Sequence, residues 1–437
     1  YMRAGFHMAN ENLESKRWGI AIAAVVMQLC LGTVYAWSVF KKPLMGVHGW
    51  GETQTQLTFM IFMFMVGTSA AFGGTLVDKK GPRFVATIGA ILFGIATILS
   101  GLADQVASLP LLYLSYGIIG GLGNGFCYVT PIATLIRWFP DKRGLVTGLA
   151  VMGFGLGAFF MGKIAPAMIN AYAGGLTESG VALTFYIWGV IFLVLCVGAA
   201  QLFKNPPAGW LPAGFTPSAT TVSAADSYTF DEAIKTPQWW MLWGMLFLNV
   251  SAGLGLISQL SPLAQDYYKP LVSDPNILND PEALKKTLAV AGGTVVSISA
   301  IFNGLGRLFW ARVSDIKAIG RRGVFGFMFA SQAVIYILVA TGVISQYYIF
   351  MIAACYLLAC YGGGFATMPA FAADNFGPGY IGKVYGFMLT AWACAGIVGP
   401  LAFAQFKDQS LYIAAALLII GFVLVLAFRR REHHKKA

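Results

Sequence analysis

Long apolar runs, separated by short charged segments, recur along the whole chain. Their length of about 18 to 25 residues is the length that a helix needs to cross a bilayer. Reading these runs against the charged segments between them predicts twelve spanning helices. The predicted spans are 18–40, 53–77, 83–103, 110–136, 144–170, 181–203, 238–262, 288–311, 323–343, 347–373, 384–406 and 409–428. The pattern therefore predicts an all-α membrane protein.

One segment interrupts the apolar pattern, between the sixth and the seventh span. Residues 204–237 are polar and rich in Ser, Thr and Ala, a composition that cannot form a hydrophobic core and indicates a linker. The linker divides the chain into an N-terminal half, 17–203, and a C-terminal half, 238–428, each with six helices. Two such halves are the arrangement expected of an internally repeated transporter.

Composition and charge exclude the common soluble classes. Of the 437 residues, 57% are hydrophobic and only 11% are charged, whereas a soluble domain has about 25% charged residues. The net charge of +11 comes from 29 Lys and Arg residues, of which 21 fall on one side of the predicted membrane and six on the other. By the positive-inside rule, both termini are expected in the cytoplasm. We expect no enzyme activity and no nucleic-acid binding.

Titratable groups are nearly absent from the predicted spans. All 18 carboxylates and all four histidines fall in loops, termini or helix ends. The six cysteines lie in apolar runs without the spacing of metal ligands, so we expect no metal and no cofactor. Arg307 is the exception, because it lies inside the eighth span with no acidic residue at helical spacing. An intramembrane arginine is by default functional, although Arg307 could instead extend to the nearby membrane surface.

Two short loops repeat between the halves. The loop after the second span reads Gly74-Thr-Leu-Val-Asp78-Lys-Lys-Gly-Pro-Arg83, and the loop after the eighth span reads Ala311-Arg-Val-Ser-Asp315, followed by Arg321-Arg322. In a chain of two six-helix halves, this repeat resembles the major facilitator superfamily. The resemblance implies alternating access and a conformational role for four loop residues. These gating candidates are Asp78, Arg83, Asp315 and Arg322.

Further motifs narrow the resemblance. They are Asn205-Pro-Pro-Ala-Gly-Trp210, Thr236-Pro-Gln-Trp-Trp240, Arg137-Trp-Phe-Pro-Asp-Lys-Arg-Gly144, and Phe302-Asn303-Gly304 with Arg307. Together they are similar to the bacterial oxalate:formate antiporter family, which is related to the proton-linked monocarboxylate transporters. The resemblance covers residues 16 to 430.

The family resemblance implies a set of substrate-binding residues. The eighth-span arginine of the family binds a substrate carboxylate, and Asn303 lies four residues before Arg307 on the same helical face. Oxalate-carrying relatives have a lysine in the eleventh span, and this chain has Trp392 at that position. The implied substrate-binding residues are Arg307, Asn303, Tyr128, Tyr361, Tyr35, Phe365 and Trp392.

The function expected from this resemblance is transport of a small organic anion. One fixed cation and a tryptophan favour a monocarboxylate such as lactate or pyruvate, carried with a proton by a rocker-switch mechanism. An oxalate:formate-type exchanger is the alternative within the class, and a transporter-like receptor is the alternative outside it. The expected partners are the monocarboxylate anion, a proton and the lipid bilayer, and the protein is expected to be a monomer.

Overall fold

Helices make up nearly all of the structure, a computed structural model that describes residues 2–216, 226–406 and 409–430. Residues 217–225 of the predicted linker lie outside these ranges. The helices of the N-terminal part are α1 (Met2–Gly32), α2 (Trp37–His48), α3 (Glu52–Lys80), α4 (Pro82–Gln105), α5 (Leu109–Leu112), α6 (Gly121–Trp138), α7 (Arg143–Tyr172) and α8 (Val181–Leu202). The helices of the C-terminal part are α9 (Phe230–Ala233), α10 (Pro237–Tyr268), α11 (Pro275–Leu278), α12 (Pro281–Ser314), α13 (Gly320–Ala340), α14 (Tyr347–Phe376), α15 (Ile381–Met388), α16 (Thr390–Gln405) and α17 (Ser410–Ala427).

The predicted all-α membrane architecture is confirmed. Within the described ranges, twelve helical segments are long and apolar enough to cross a membrane. A helix satisfies all its backbone hydrogen bonds internally, which is why apolar runs of this length form helices in a bilayer. Large apolar side chains are exposed along these segments, as expected of surfaces that face lipid.

Three of the predicted spans are not single regular helices. In the first, a 3₁₀ turn at Thr33–Ala36 joins α1 to α2; in the fourth, a π-helical segment at Tyr113–Gly120 joins α5 to α6. In the eleventh, Leu389 separates α15 from α16. A side-chain hydroxyl bonds a helix carbonyl beside two of these sites, from Thr33 to Cys30 and from Thr390 to Phe387, both at 2.7 Å. Such bonds compete with the regular helix pattern.

Contacts between helices hold the N-terminal and C-terminal parts of the bundle together. Helix α7 packs against α12, and α3 packs against α15 and α16. Glycines permit the close approach, because a Cβ at Gly74 would overlap the Gly382 carbonyl and a Cβ at Gly155 would lie 2.8 Å from the Cα of Gly304. Arg307 lies three residues beyond Gly304 on α12, so this contact places it between the two parts of the bundle.

Candidate functional site

Arg307 lies buried in the middle of the bundle, with 1% of its surface exposed. Its Nε donates to the Oδ1 of Asn303, one turn earlier on α12, at 3.3 Å. Its Nη1 donates to the backbone carbonyl of Val151 on α7 at 3.2 Å. Among the described residues, no carboxylate forms an ion pair with this guanidinium. The site therefore has one fixed positive charge that no acidic side chain neutralises.

Two aromatic rings flank the guanidinium. The Cζ of Arg307 lies 5.6 Å from the centre of the Phe154 ring on α7 and 5.5 Å from that of the Phe365 ring on α14. At these distances a ring attracts a cation by about 0.5–2 kcal/mol, and by more where water is excluded. The rings thus help to keep a charged arginine inside the membrane, although they cannot neutralise it.

Four further aromatic side chains surround this centre. Tyr35 and Tyr128 meet the Phe154 ring edge-on at 5.2 and 5.3 Å between ring centres. Trp392 lies 5.4 Å from Tyr128 and 4.9 Å from Phe365, and Tyr361 lies 5.4 Å from Phe365. We call this set the aromatic cage. Its members are Tyr35, Tyr128, Phe154, Tyr361, Phe365 and Trp392.

Polar atoms of the cage are buried without hydrogen-bond partners. In the described part of the chain, this holds for the hydroxyls of Tyr35, Tyr128 and Tyr361 and for the indole Nε1 of Trp392. The Tyr35 hydroxyl lies next to Arg307 and Tyr361, and the Tyr128 hydroxyl lies next to that of Tyr385, in each case without the geometry of a regular hydrogen bond. A buried polar group without a partner costs about 1–3 kcal/mol, so four together need an explanation. Their donors, next to one guanidinium and between apolar rings, suit a small organic carboxylate.

Three consecutive glycines on α14 let this helix approach its neighbours. A Cβ at Gly362 would overlap the Asn303 carbonyl, and a Cβ at Gly363 would overlap the Trp310 ring. Both positions therefore need glycine for α14 to lie against α12. This contact places Tyr361 and Phe365, one turn apart on α14, next to Arg307.

Charged groups that are buried or partly buried also meet at one end of the bundle, which we call the ion-paired end. It carries Asp78, Arg137, Arg143, Asp315, Arg321 and Asp374. Asp315, just beyond the end of α12, accepts from the backbone N–H groups of Gly144 and Leu145 at 3.0 and 2.8 Å. These N–H groups belong to the first turn of α7, where the helix dipole favours a negative charge. Asp315 thereby joins the C-terminal part of the bundle to the N-terminal part.

A related contact joins α3 to α15. Asp78, near the end of α3, accepts from the backbone N–H of Lys383 at 2.7 Å, in the first turn of α15. Arg137 forms an ion pair with Asp78 and donates to the carbonyls of Pro378 and Gly379. Each part of the bundle therefore offers a carboxylate to a helix N-terminus of the other.

Asp374 provides a third connection at this end. Its carboxylate pairs with Arg143 of α7 at 2.8 Å and with Arg321 of α13 at 3.1 Å. Arg321 also pairs with Asp315 at 2.7 Å. Charged residues from both parts of the bundle thus form a continuous network.

At the opposite end, the buried ion pair that the structure describes lies within one half. His48 bonds Oδ1 of Asp104 at 2.7 Å, and Oδ2 accepts from Thr177, from Ser179 and from the backbone N–H of Ala182. All these residues precede the linker. In the described ranges, no ion pair joins the two parts of the bundle at this end.

The gating candidates fall into two groups. Asp78 and Asp315 lie where the two parts of the bundle meet, as described above. The Arg83 side chain is exposed. Arg322 donates to the carbonyls of Val425 and Leu426, which lie in its own half. Neither arginine belongs to the connecting network.

Sequence reasoning missed several residues of both sites. Phe154 was absent from the predicted set, although it stands between glycines at 153 and 155, where an aromatic ring can approach a neighbouring helix. Arg137 and Arg143 lie in the motif between α6 and α7, to which the sequence assigns no role in the site. Their partners are far away in sequence: Asp374 follows Arg143 by 231 residues. A basic pair that flanks a loop next to acidic helix ends is the signal that could have found them.

Comparison with known proteins identifies the family. A sequence model described as Major Facilitator Superfamily matches residues 20–400 and, in a second match, residues 275–437. The chain belongs to the major facilitator superfamily. It is therefore a multi-pass membrane transporter with twelve candidate spans in the described residues.

Individual relatives agree with this assignment. The oxalate:formate antiporter of Oxalobacter formigenes is 29% identical over 394 residues, 89% of this chain and 84% of the relative. Human monocarboxylate transporter 14 is 22% identical over 419 residues, 81% of this chain and 79% of the relative. Among solved structures, FucP in its outward conformation matches with a TM-score of 0.70 at 14% identity, over 95% of this chain and 99% of FucP. The match to FucP shows the shared fold.

Proposed function

We propose that this transporter carries small monocarboxylates of the lactate and pyruvate type across the membrane together with a proton. Arg307 carries the argument, as a buried guanidinium without an acidic partner in the described structure. Placing an arginine at the centre of a membrane helix costs about 2.5–3.5 kcal/mol. An anionic substrate that binds here would offset part of this cost. Relatives named as an oxalate:formate antiporter and as a monocarboxylate transporter support an organic anion.

The aromatic cage favours a substrate with one carboxylate over a substrate with two. Arg307 is the one cation next to its rings in the described structure. A guanidinium binds one carboxylate through two parallel hydrogen bonds. Trp392 is 2% exposed and packs between Tyr128 and Phe365, so it presents an apolar wall. A short apolar carbon chain fits against that wall, whereas the second carboxylate of oxalate would lose its hydration without gaining a cation.

We further propose a rocker-switch cycle in which the ion-paired end faces the cytoplasm. Its contacts join the two halves, 17–203 and 238–428, and would keep the cage closed on that side. The buried ion pair at the opposite end lies within one half, so it leaves the halves free to separate there. The substrate would therefore enter from the exterior. In this orientation both termini lie in the cytoplasm of a bacterium, and the carrier works as a monomer in the inner membrane.

The proton needs a carrier other than a mid-membrane acid, since the sequence offers none. Asp374 lies near the end of α14, at the ion-paired end, and is already bonded to two arginines. The proton would instead travel on the substrate, on water or through the unpartnered hydroxyls of Tyr128 and Tyr361. A bound anion neutralises Arg307, so the transporter with bound substrate changes between its outward-facing and inward-facing conformations more easily than the empty transporter. Exchange is therefore expected to be faster than net uptake.

Uptake of labelled L-lactate into proteoliposomes tests the proposal. An inward proton gradient is expected to accelerate net uptake, and lactate preloaded inside is expected to accelerate it further. Unlabelled pyruvate is expected to compete better than oxalate. Uptake that ignores the pH gradient and requires an internal anion would establish the oxalate:formate-type exchanger instead. Saturable binding of lactate to the purified protein without any uptake would establish a receptor.

A further inference from the structure

Two buried side-chain amides donate to the backbone of two cage tyrosines. The Nε2 of Gln28 donates to the carbonyl oxygen of Tyr128 at 3.1 Å, and the Nδ2 of Asn249 donates to that of Tyr361 at 3.4 Å. Gln28 and Asn249 are buried, with 0% and 1% of their surfaces exposed. Among the hydrogen bonds that the structure describes, none joins either amide to the guanidinium, so we place neither amide on the binding surface itself.

The two bonds occupy corresponding places in the two halves. Gln28 lies on α1, in the first span of its half, and Tyr128 lies on α6, in the fourth. Asn249 lies on α10, in the first span of the second half, and Tyr361 lies on α14, in the fourth. Both acceptor residues have a buried hydroxyl with no partner in the described structure. Each half thus connects its first helix to the tyrosine that its fourth helix presents to the cage.

Neighbouring residues hold the Asn249 amide in place. Gln332 of α13 is 1% exposed and donates to the Oδ1 of Asn249 at 3.2 Å. Gly364 makes room, because a Cβ at that position would overlap the Asn249 amide nitrogen. The amide can therefore reach the Tyr361 carbonyl only in one narrow orientation. Such a contact fixes the rotation of α14 about its own axis, and with it the position of the phenol.

Simple helix packing does not require these amides. A buried hydrogen bond between membrane helices contributes only about 0.6 kcal/mol on average. The Oε1 of Gln28 has no partner in the described chain, so this side chain also carries a cost. A polar group that is buried at such a cost contributes by orienting the group to which it bonds rather than by adding net stability. Its direction here is toward a tyrosine backbone whose hydroxyl faces the substrate site.

We propose that Gln28 and Asn249 are positioning residues, which set the tyrosine hydroxyls of the cage at bonding distance from the substrate carboxylate. This proposal rests on the proposed anion-binding function of Arg307. Its consequence is specific: each amide matters for substrate affinity only as long as its tyrosine carries a hydroxyl. A purely structural amide would matter equally with or without that hydroxyl.

Double-mutant cycles on the full-length transporter test this coupling, with labelled L-lactate as the probe. The first cycle combines Gln28→Met with Tyr128→Phe, and the second combines Asn249→Leu with Tyr361→Phe. We expect each single substitution to raise KM about five- to tenfold with little change in kcat, as the loss of one well-placed hydrogen bond does. In the Tyr→Phe background, the amide substitution is expected to raise KM by less than about twofold further.

Asn124→Leu is the matched control for the first cycle. Asn124 is as buried as Gln28 and lies on the same helix as Tyr128, one turn earlier. Its Nδ2 donates to the carbonyl of Leu31 on α1, so it joins the same two helices without bonding the tyrosine. Its effect is expected to add to that of Tyr128→Phe. Amide effects that are equally additive would overturn the positioning role.

Two further variants address a substitution that does not fold and a failure of the proposed anion-binding function. If Asn249→Leu does not fold, Gln332→Met leaves Asn249 in place but frees its amide, and the same coupling to Tyr361→Phe is expected. Arg307→Lys separates this proposal from the function on which it rests. Lactate uptake that survives Arg307→Lys would overturn the anion-binding function. Uptake that is lost in Arg307→Lys, together with additive cycles, would overturn only the positioning role.

Discussion

Polar groups at the ion-paired end have several partners, whereas polar groups of the aromatic cage lack them in the described structure. At the ion-paired end, Asp78, Asp315 and Asp374 each have at least two partners. In the cage, the described structure shows no partner for the hydroxyls of Tyr128 and Tyr361. Satisfied charges stabilise one arrangement of the helices, whereas unsatisfied donors around a cation are ready to bind an anion. The contrast separates the groups that connect the two parts of the bundle from those that we propose bind the substrate.

The largest expected effect is at Arg307. Arg307→Lys keeps the charge but loses the planar fork that binds a carboxylate through two bonds. We expect lactate uptake to fall at least about 100-fold, with a thermal unfolding midpoint within about 3 °C of the parent protein. Arg322→Lys is the matched control, since Arg322 donates to carbonyls of its own half. Near-normal uptake by a well-folded Arg307→Lys variant would contradict the role of the cage.

The second effect concerns the ion-paired end. In Asp315→Asn, the amide cannot carry the charge that the first turn of α7 and Arg321 stabilise. We expect the uptake rate to fall about tenfold with KM nearly unchanged, and the unfolding midpoint to fall by several degrees, because a bond to a charged group contributes about 1.5–3 kcal/mol. Asp78→Asn is expected to act in the same direction.

Asp141→Asn is the control for this end. Asp141 pairs with Arg17 at 2.9 Å, and both residues belong to the N-terminal half. Losing this pair is expected to reduce stability without the same fall in uptake rate. Equal falls in uptake for Asp141→Asn and Asp315→Asn would show that contacts between the halves have no special role in the cycle.

The sequence predicted the fold better than the contacts of the site. Span length and loop charge suffice for twelve helices, because a bilayer imposes both. Arg307 and Asn303 could be found because a charge inside an apolar run stands out and helical spacing pairs it with a neighbour. Phe154 could not, since an aromatic residue in an apolar helix looks the same whether it packs or lines a site. The partners of Arg143 depend on how distant helices meet, which no local pattern encodes.

The third prediction adds a charge to the cage. Trp392→Lys replaces the wall between Tyr128 and Phe365 with a second cation. Two cations suit two carboxylates, so we expect the ratio of oxalate to lactate affinity to rise at least about tenfold, measured by competition. Trp392→Phe is the control and is expected to keep the preference for lactate. A Trp392→Lys variant that still prefers lactate would show that charge number does not set the preference.

The fourth prediction, with the smallest expected effect, tests whether a cage hydroxyl is a structural group or a substrate-binding group. Tyr361→Phe removes a hydroxyl that is buried without a partner in the described structure, while the ring keeps its contact with Phe365. Removing an unsatisfied polar group is neutral or stabilising. In the absence of any anion, we therefore expect the unfolding midpoint to stay the same or to rise by about 1–3 °C.

The same substitution is expected to weaken the response to substrate. Lactate should raise the midpoint of the parent protein more than that of Tyr361→Phe, since the variant lacks one donor to the carboxylate. Tyr336→Phe is the matched control, because the Tyr336 hydroxyl is buried but donates to the carbonyl of Ala252 at 3.1 Å. It should lower the midpoint and leave the shift caused by lactate intact. If Tyr361→Phe instead destabilises the protein as Tyr336→Phe does, its hydroxyl is a structural group like those of the ion-paired end.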